Sequence, residues 1–88
     1  MPKVAITHNV PDVEHWLTFK AERVSLLSPF ATGVTDHVSL DGSKTVAVTM
    51  EVRDLAALQA ALASPSPELA AGMERHGVLP PLAVYVEK

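Results

Sequence analysis

The stretch GVTDHVSLDGSKTVAVTMEV, residues 33–52, decides the fold. Two alternating β-rich runs, Gly33 to Leu40 and Lys44 to Val52, flank Asp41-Gly42-Ser43, a turn whose glycine can supply a positive φ. They are predicted to pair as an antiparallel hairpin. On the N-terminal side, Lys3 to His8 alternates with Val4, Ile6 and His8 on one face, the period of a half-buried strand. Asn9-Val10-Pro11-Asp12 then opens a helix, because proline is tolerated in a first turn and Asp12 and Glu14 suit the positive end of the helix dipole. That helix is predicted to run unbroken to about Leu27, where Ser28-Pro29 stops it.

On the C-terminal side, Asp54 caps a short helix in which Leu55, Leu58 and Leu62 share a face, and Ser64 to Pro67 interrupts it. Ser66-Pro67-Glu68 starts a further helix that Gly77 ends, and Pro80-Pro81 leads stiffly into a last strand, Leu82 to Glu87. The order β-α-β-β-α-(α)-β is the split βαβ of a ferredoxin-like α+β fold: one four-stranded antiparallel sheet with helices on a single face, in one domain over residues 1–88. Val4, Ile6, Val38, Leu40, Val46, Val48, Met50, Val84 and Val86 form the greasier sheet face, expected beneath the helices. The opposite face, Ala5, Thr7, His37, Ser39, Ala47, Thr49, Ala83 and Tyr85, is small and half polar. Too apolar to be left wet and too small to be a core, it is expected to pack against its own copy in a homodimer.

Composition supports a partner subunit. The chain has 88 residues, 48% hydrophobic, with no cysteine and a net charge of −3. A domain this short buries roughly 60–65% of its unfolded surface, a marginal core without disulfides or metals. Seven bases against ten acids, none in a cluster, exclude a nucleic-acid or anionic-membrane surface. No run approaches the ~20 apolar residues that span a bilayer, and Val4-Ala5-Ile6 is too short for a signal core, so a cytoplasmic location is expected.

Four histidines carry the titratable chemistry: His8 at the end of the first strand, His15 on the polar side of the first helix, His37 mid-strand and His76 closing the last helix. Their spacings form no local metal pair, and the four glycines form no phosphate loop. On the wheel of the first helix, Val13, Trp16, Leu17, Phe19, Ala21, Val24 and Leu27 share the apolar arc. Lys20 and Arg23 fall within or at the edge of it, which leaves two readings: stems that cover apolar surface while the charges reach water, or an anion-holding pair facing a cavity.

Val13-Glu14-His15-Trp16, Asp54-Leu55-Ala56-Ala57, Ser66-Pro67-Glu68-Leu69, Met73-Glu74-Arg75-His76-Gly77-Val78 and the proline-led last strand together resemble the dimeric α+β barrel superfamily. The likeness is to small proteins related to antibiotic-biosynthesis monooxygenases and covers nearly the whole chain. It implies two sheets packed as a barrel, helices outside, and a pocket in each subunit between sheet and helices. The superfamily includes cofactor-free quinone-forming monooxygenases, polyketide cyclases, isomerases and haem-degrading enzymes, so the resemblance alone selects no reaction. Two departures concern the pocket: relatives commonly place an aromatic residue four after the helix tryptophan, where this chain has Lys20, and Ser64 to Pro67 is about two residues longer.

With no metal-ligand spacing, no nucleophile motif and no phosphate loop in the sequence, what remains is a pocket for a small organic ligand, with no cofactor and no metal expected. The expected reaction is oxygenation or cyclisation of a phenolic or polyketide-like substrate. Trp16, Phe19 and Lys20 are the expected substrate-binding residues; Asn9, Arg23 and His76 the expected catalytic ones, Asn9 as a donor and Arg23 and His76 as stabilisers of negative charge. The competing expectation is a non-catalytic ligand-binding or assembly module on the same scaffold, and a third is haem binding through His76.

Overall fold

In the computed structural model, which describes residues 1–88, the chain runs β1 (Lys3–Asn9), α1 (Val13–Leu17), α2 (Lys20–Leu27), β2 (Ala31–Val38), β3 (Thr45–Val52), α3 (Leu55–Ala63), α4 (Pro67–His76) and β4 (Leu79–Val86). The strands form one sheet in the order β2-β3-β1-β4, every neighbouring pair antiparallel. This is the predicted split βαβ arrangement. The caps read from sequence are in place: Asp54 accepts from the Ala57 amide at 3.1 Å, Ser66 from that of Leu69 at 3.2 Å, and Gly77 closes α4 with φ 80°.

Register fixes which residues share a face. Tyr85, Ala5, Thr49 and Thr35 stand abreast across the sheet, with Ala83, Thr7, Ala47 and His37 in the adjacent row. On the other face Val4, Ile6, Val46, Val48, Met50 and Val52 meet Trp16, Leu27 and Leu58 in the core. Val38, Val84 and Val86 lie on this helix face too, opposite Val46, Ile6 and Val4. Their predicted burial fails, as does that of Leu40: all four are exposed. β2 and β4 are the sheet's edges, and Leu40 lies beyond β2 in the turn.

The predicted single helix is two helices. Thr18 Oγ1 donates to the His15 carbonyl at 2.6 Å, and the Thr18 and Phe19 amides bond three residues back, to His15 and Trp16, both at 3.2 Å. That tighter turn breaks the α-helical ladder, and the helix restarts at Lys20 with Phe19 as its N-cap. Beyond the break Leu27 packs inward as expected and Arg23 lies on the same side, while Ala21 and Val24, expected in the apolar arc, face solvent together with Lys20.

The sheet positions predicted to begin at Gly33 and Leu82 begin earlier. β2 starts at Ala31 and passes through an irregularity between Thr32 and Thr35, where Gly33 has φ 64°. β4 takes in both prolines, tolerable because an edge strand can leave ladder bonds unmade.

Candidate functional site

Between the sheet and the helices lies a cavity of about 60 Å³ that opens to solvent. Ile6, Val48 and Met50 line it from the sheet, Leu62, Leu69 and Met73 from α3 and α4. Its polar wall is made by His8, Arg23 and His76 beside Trp16.

Arg23 reaches this wall from the stripe of the helix that it shares with Trp16 and Leu27. Its Nε and Nη2 donate to the two carboxylate oxygens of Asp36 at 3.0 and 2.9 Å, a bidentate pair whose side chains are only 7% and 5% exposed. Nη2 also donates to the Trp16 carbonyl at 3.0 Å, and the guanidinium lies 4.0 Å over the Trp16 ring. The charge neither reaches water nor stands free for an anion. Asp36 was not among the expected site residues. Its signal was an acid in the helix-face phase of β2, between Val34 and Val38, across from a base in the packing phase of a helix; such charges are buried only in pairs.

His76 Nδ1 sits 3.1 Å from Arg23 Nη1. A guanidinium only donates, so Nδ1 accepts and the ring is the neutral Nε2–H tautomer, donating to Glu22 Oε1 at 2.9 Å. The same Glu22 oxygen accepts from Arg75 Nε and Nη2 at 3.2 and 2.8 Å. Both nitrogens of His76 are therefore engaged. Hydrogen bonds from Arg75 and then His76 hold the Glu22 carboxyl below its ordinary range. Phe19 stacks on the His76 ring at 4.7 Å and meets His15 edge-on, and exposed His15 donates through Nε2 to the Arg75 carbonyl at 2.9 Å, which ties α1 to α4.

His8 differs from His76. Its Nδ1 donates to the Asn9 carbonyl at 3.2 Å, which leaves Nε2 as the lone-pair nitrogen, and Nε2 has no hydrogen-bond partner. Trp16 Nε1, fully buried, is likewise unpartnered. Burial lowers the pKa of His8 most, with Arg23 and His76 adding to it against the Asn9 carbonyl. Burial also dominates for His76, opposed by the Glu22 hydrogen bond and reinforced by the charges of Arg23 and Arg75. Both imidazoles are neutral at pH 7.

Of the expected site residues, the structure brings Trp16, Arg23 and His76 together at the cavity. Phe19 touches His76 but does not line the cavity; neither does exposed Lys20. Asn9 is also outside it, exposed at the end of β1 with Oδ1 accepting from Thr45 Oγ1 at 2.6 Å. Haem does not fit: both His76 nitrogens are taken, and the cavity is far too small for a porphyrin. No group of three or more acidic, histidine or cysteine side chains is placed to hold a metal ion, and no helix is long and apolar enough to cross a membrane.

The lowered histidines give a pH dependence with a definite sign. Between the ordinary value of 6.5 and the lower folded values, the unfolded chain binds more protons than the folded one. Stability is full above about pH 6.5 and is lost as pH falls through the folded values. Thermal unfolding from pH 8 to pH 5 should show a plateau followed by a decline, shallower in His8→Gln. A midpoint that rises on acidification through this window would contradict the neutral state of the two imidazoles.

No family model matches the sequence, and no curated protein matches it. Solved structures do. An antibiotic biosynthesis monooxygenase aligns with TM-score 0.61 at 14% identity, covering 100% of this chain and 97% of its own. A Deinococcus radiodurans protein attributed to the same class gives 0.62 at 13%, covering 100% and 91%, and an Agrobacterium tumefaciens protein 0.66 at 10%, covering 100% and 92%. The chain has the fold of these proteins. Such low identity carries architecture, the ferredoxin-like α+β fold of the antibiotic-biosynthesis-monooxygenase structures, and carries no residue's role with it.

Proposed function

We propose that the protein is a homodimer that binds a small phenolic ligand in the cavity and oxygenates it without a cofactor, with His8 as the proton acceptor. The observation that carries this reading is the free Nε2 of a neutral, buried imidazole on the wall of an apolar cavity. A general base needs a lone pair within reach of the substrate proton, and His8 offers one that His76 does not. Proton loss makes the phenol electron-rich enough to pass electrons to dioxygen. For a substrate with a ring methylene, the carbon loses two hydrogens and four electrons to dioxygen; one oxygen atom becomes the new carbonyl and the other leaves as water.

Size favours a second reading, a non-catalytic ligand-binding or assembly module on the same scaffold. At about 60 Å³ the cavity is well below the few hundred Å³ usual for ligand sites, so a three-ring substrate needs Leu26, Leu69 and Met73 to move aside. Oxygen uptake with an anthrone-like phenol separates the two. The wild type should consume one dioxygen per substrate, and His8→Gln, folded by circular dichroism, should lose about 10²–10⁴-fold in rate. Full activity in His8→Gln removes His8 from the reaction; no uptake by the wild type leaves the non-catalytic module.

A further inference from the structure

We infer that Asp36 makes the cavity select uncharged ligands, so that the molecule it takes enters neutral rather than as a carboxylate. The inference rests on the cavity being a ligand site and concerns what that site admits. An arginine alone on the wall of an apolar cavity would be a carboxylate receptor, because its planar fork matches two oxygens. Here the fork is already filled. Asp36 takes Nε and one Nη2 proton, the Trp16 carbonyl takes the other Nη2 proton, and His76 Nδ1 takes one from Nη1. One of five donor hydrogens remains, and the Trp16 ring covers one guanidinium face.

A carboxylate entering the cavity would therefore exchange its hydration for one donor. It would meet a guanidinium whose charge is cancelled at 2.9 Å and the lone pair of His8 Nε2. A neutral hydroxyl or amide loses less water, and its own hydrogen has an acceptor in His8. Asp36 acts through Arg23 and is a positioning residue. Its effect is on ligand charge, which a purely structural ion pair would not govern.

Benzamide and benzoate have nearly the same shape and differ in charge. Trp16 is the chain's only tryptophan and stands in the cavity wall, so its fluorescence, excited at 295 nm, reports on occupancy. At pH 7.5 the full-length protein should bind benzamide at least tenfold more tightly than benzoate. Asp36→Asn, which frees the guanidinium charge with little change of shape, should shift that ratio at least tenfold toward benzoate. Should Asp36→Asn fail to fold, the paired replacement R23Q/D36N, which removes both charges, should keep the wild-type preference for benzamide. Equal or tighter benzoate binding by the wild type overturns the inference, as does an unchanged ratio in folded Asp36→Asn or a lost preference in R23Q/D36N. If both probes bind, the ligand site stands and selectivity alone is judged; if neither binds any of these proteins, the ligand site itself falls and the inference with it.

Discussion

Asp36→Ala is expected to destabilise the fold by about 3–5 kcal/mol, the cost of leaving a buried guanidinium without its carboxylate. For a chain of 88 residues, total stability is only about 4–13 kcal/mol, so this one change removes a large part of it. The loss comes from what remains rather than from what is taken away. Arg23 would stay beneath α2, its charge still buried and its strongest acceptor gone. The paired replacement R23M/D36L removes both charges and should unfold within about 1–2 kcal/mol of the wild type, because apolar side chains of similar length pack where the pair stood. Urea unfolding of the two proteins measures the contrast. A cost below 1 kcal/mol for Asp36→Ala would mean that Arg23 is hydrated and that the geometry described for the cavity wall is wrong.

That pair also shows where reading a sequence stops. The hairpin at Asp41 to Ser43 and the caps at Asp54, Ser66 and Gly77 were legible because each is settled by a few neighbouring residues and their hydrogen bonds. The break at Thr18 and Phe19 was not. A helical wheel assumes uninterrupted rotation, and Thr18 is compatible with a helix until its hydroxyl turns back onto the His15 carbonyl. Beyond the break Val24 faces solvent, while Arg23 and Leu27 keep the inward side, in line with Trp16, that the wheel already gives them. Trp16 and His76 were legible as wall residues because each belongs to a strong local pattern, an apolar stripe and a helix C-terminus. Asp36 and Glu22 were not, since each gains its meaning only from a partner brought close by folding: Arg23 thirteen residues before Asp36, His76 fifty-four residues after Glu22. Asn9 shows the converse: a residue placed beside the pocket by likeness of position, whose side chain instead braces the start of β3.

Thr49→Arg is expected to convert a homodimer into monomers. Thr49 stands in the middle of the sheet face opposite the helices, with Ala5 and Thr35 beside it and Tyr85 beyond Ala5. Tyr85 is 59% exposed in the single subunit. Only 15 of 88 residues are buried in one subunit, a thin core for a chain this apolar. A second copy laid on the face would shelter it, and a stable contact of that kind covers about 800 Å² on each partner. Arginine at Thr49 would bring two like charges near the twofold axis and strip both of water. Sedimentation of the wild type should give a mass near twice 9.4 kDa, and of Thr49→Arg a mass near 9.4 kDa at micromolar concentration. Ser25→Arg, on the exposed side of α2, should leave the dimer intact. Because Val48 and Met50 line the cavity from the same strand that carries Thr49 on its reverse, separation of the subunits should also loosen the ligand site, seen as weaker benzamide binding by Thr49→Arg. A wild type that sediments as a lone subunit, with Tyr85 reactive in solution, would show that the sheet face is a free surface and that the cavity is supported by one chain alone.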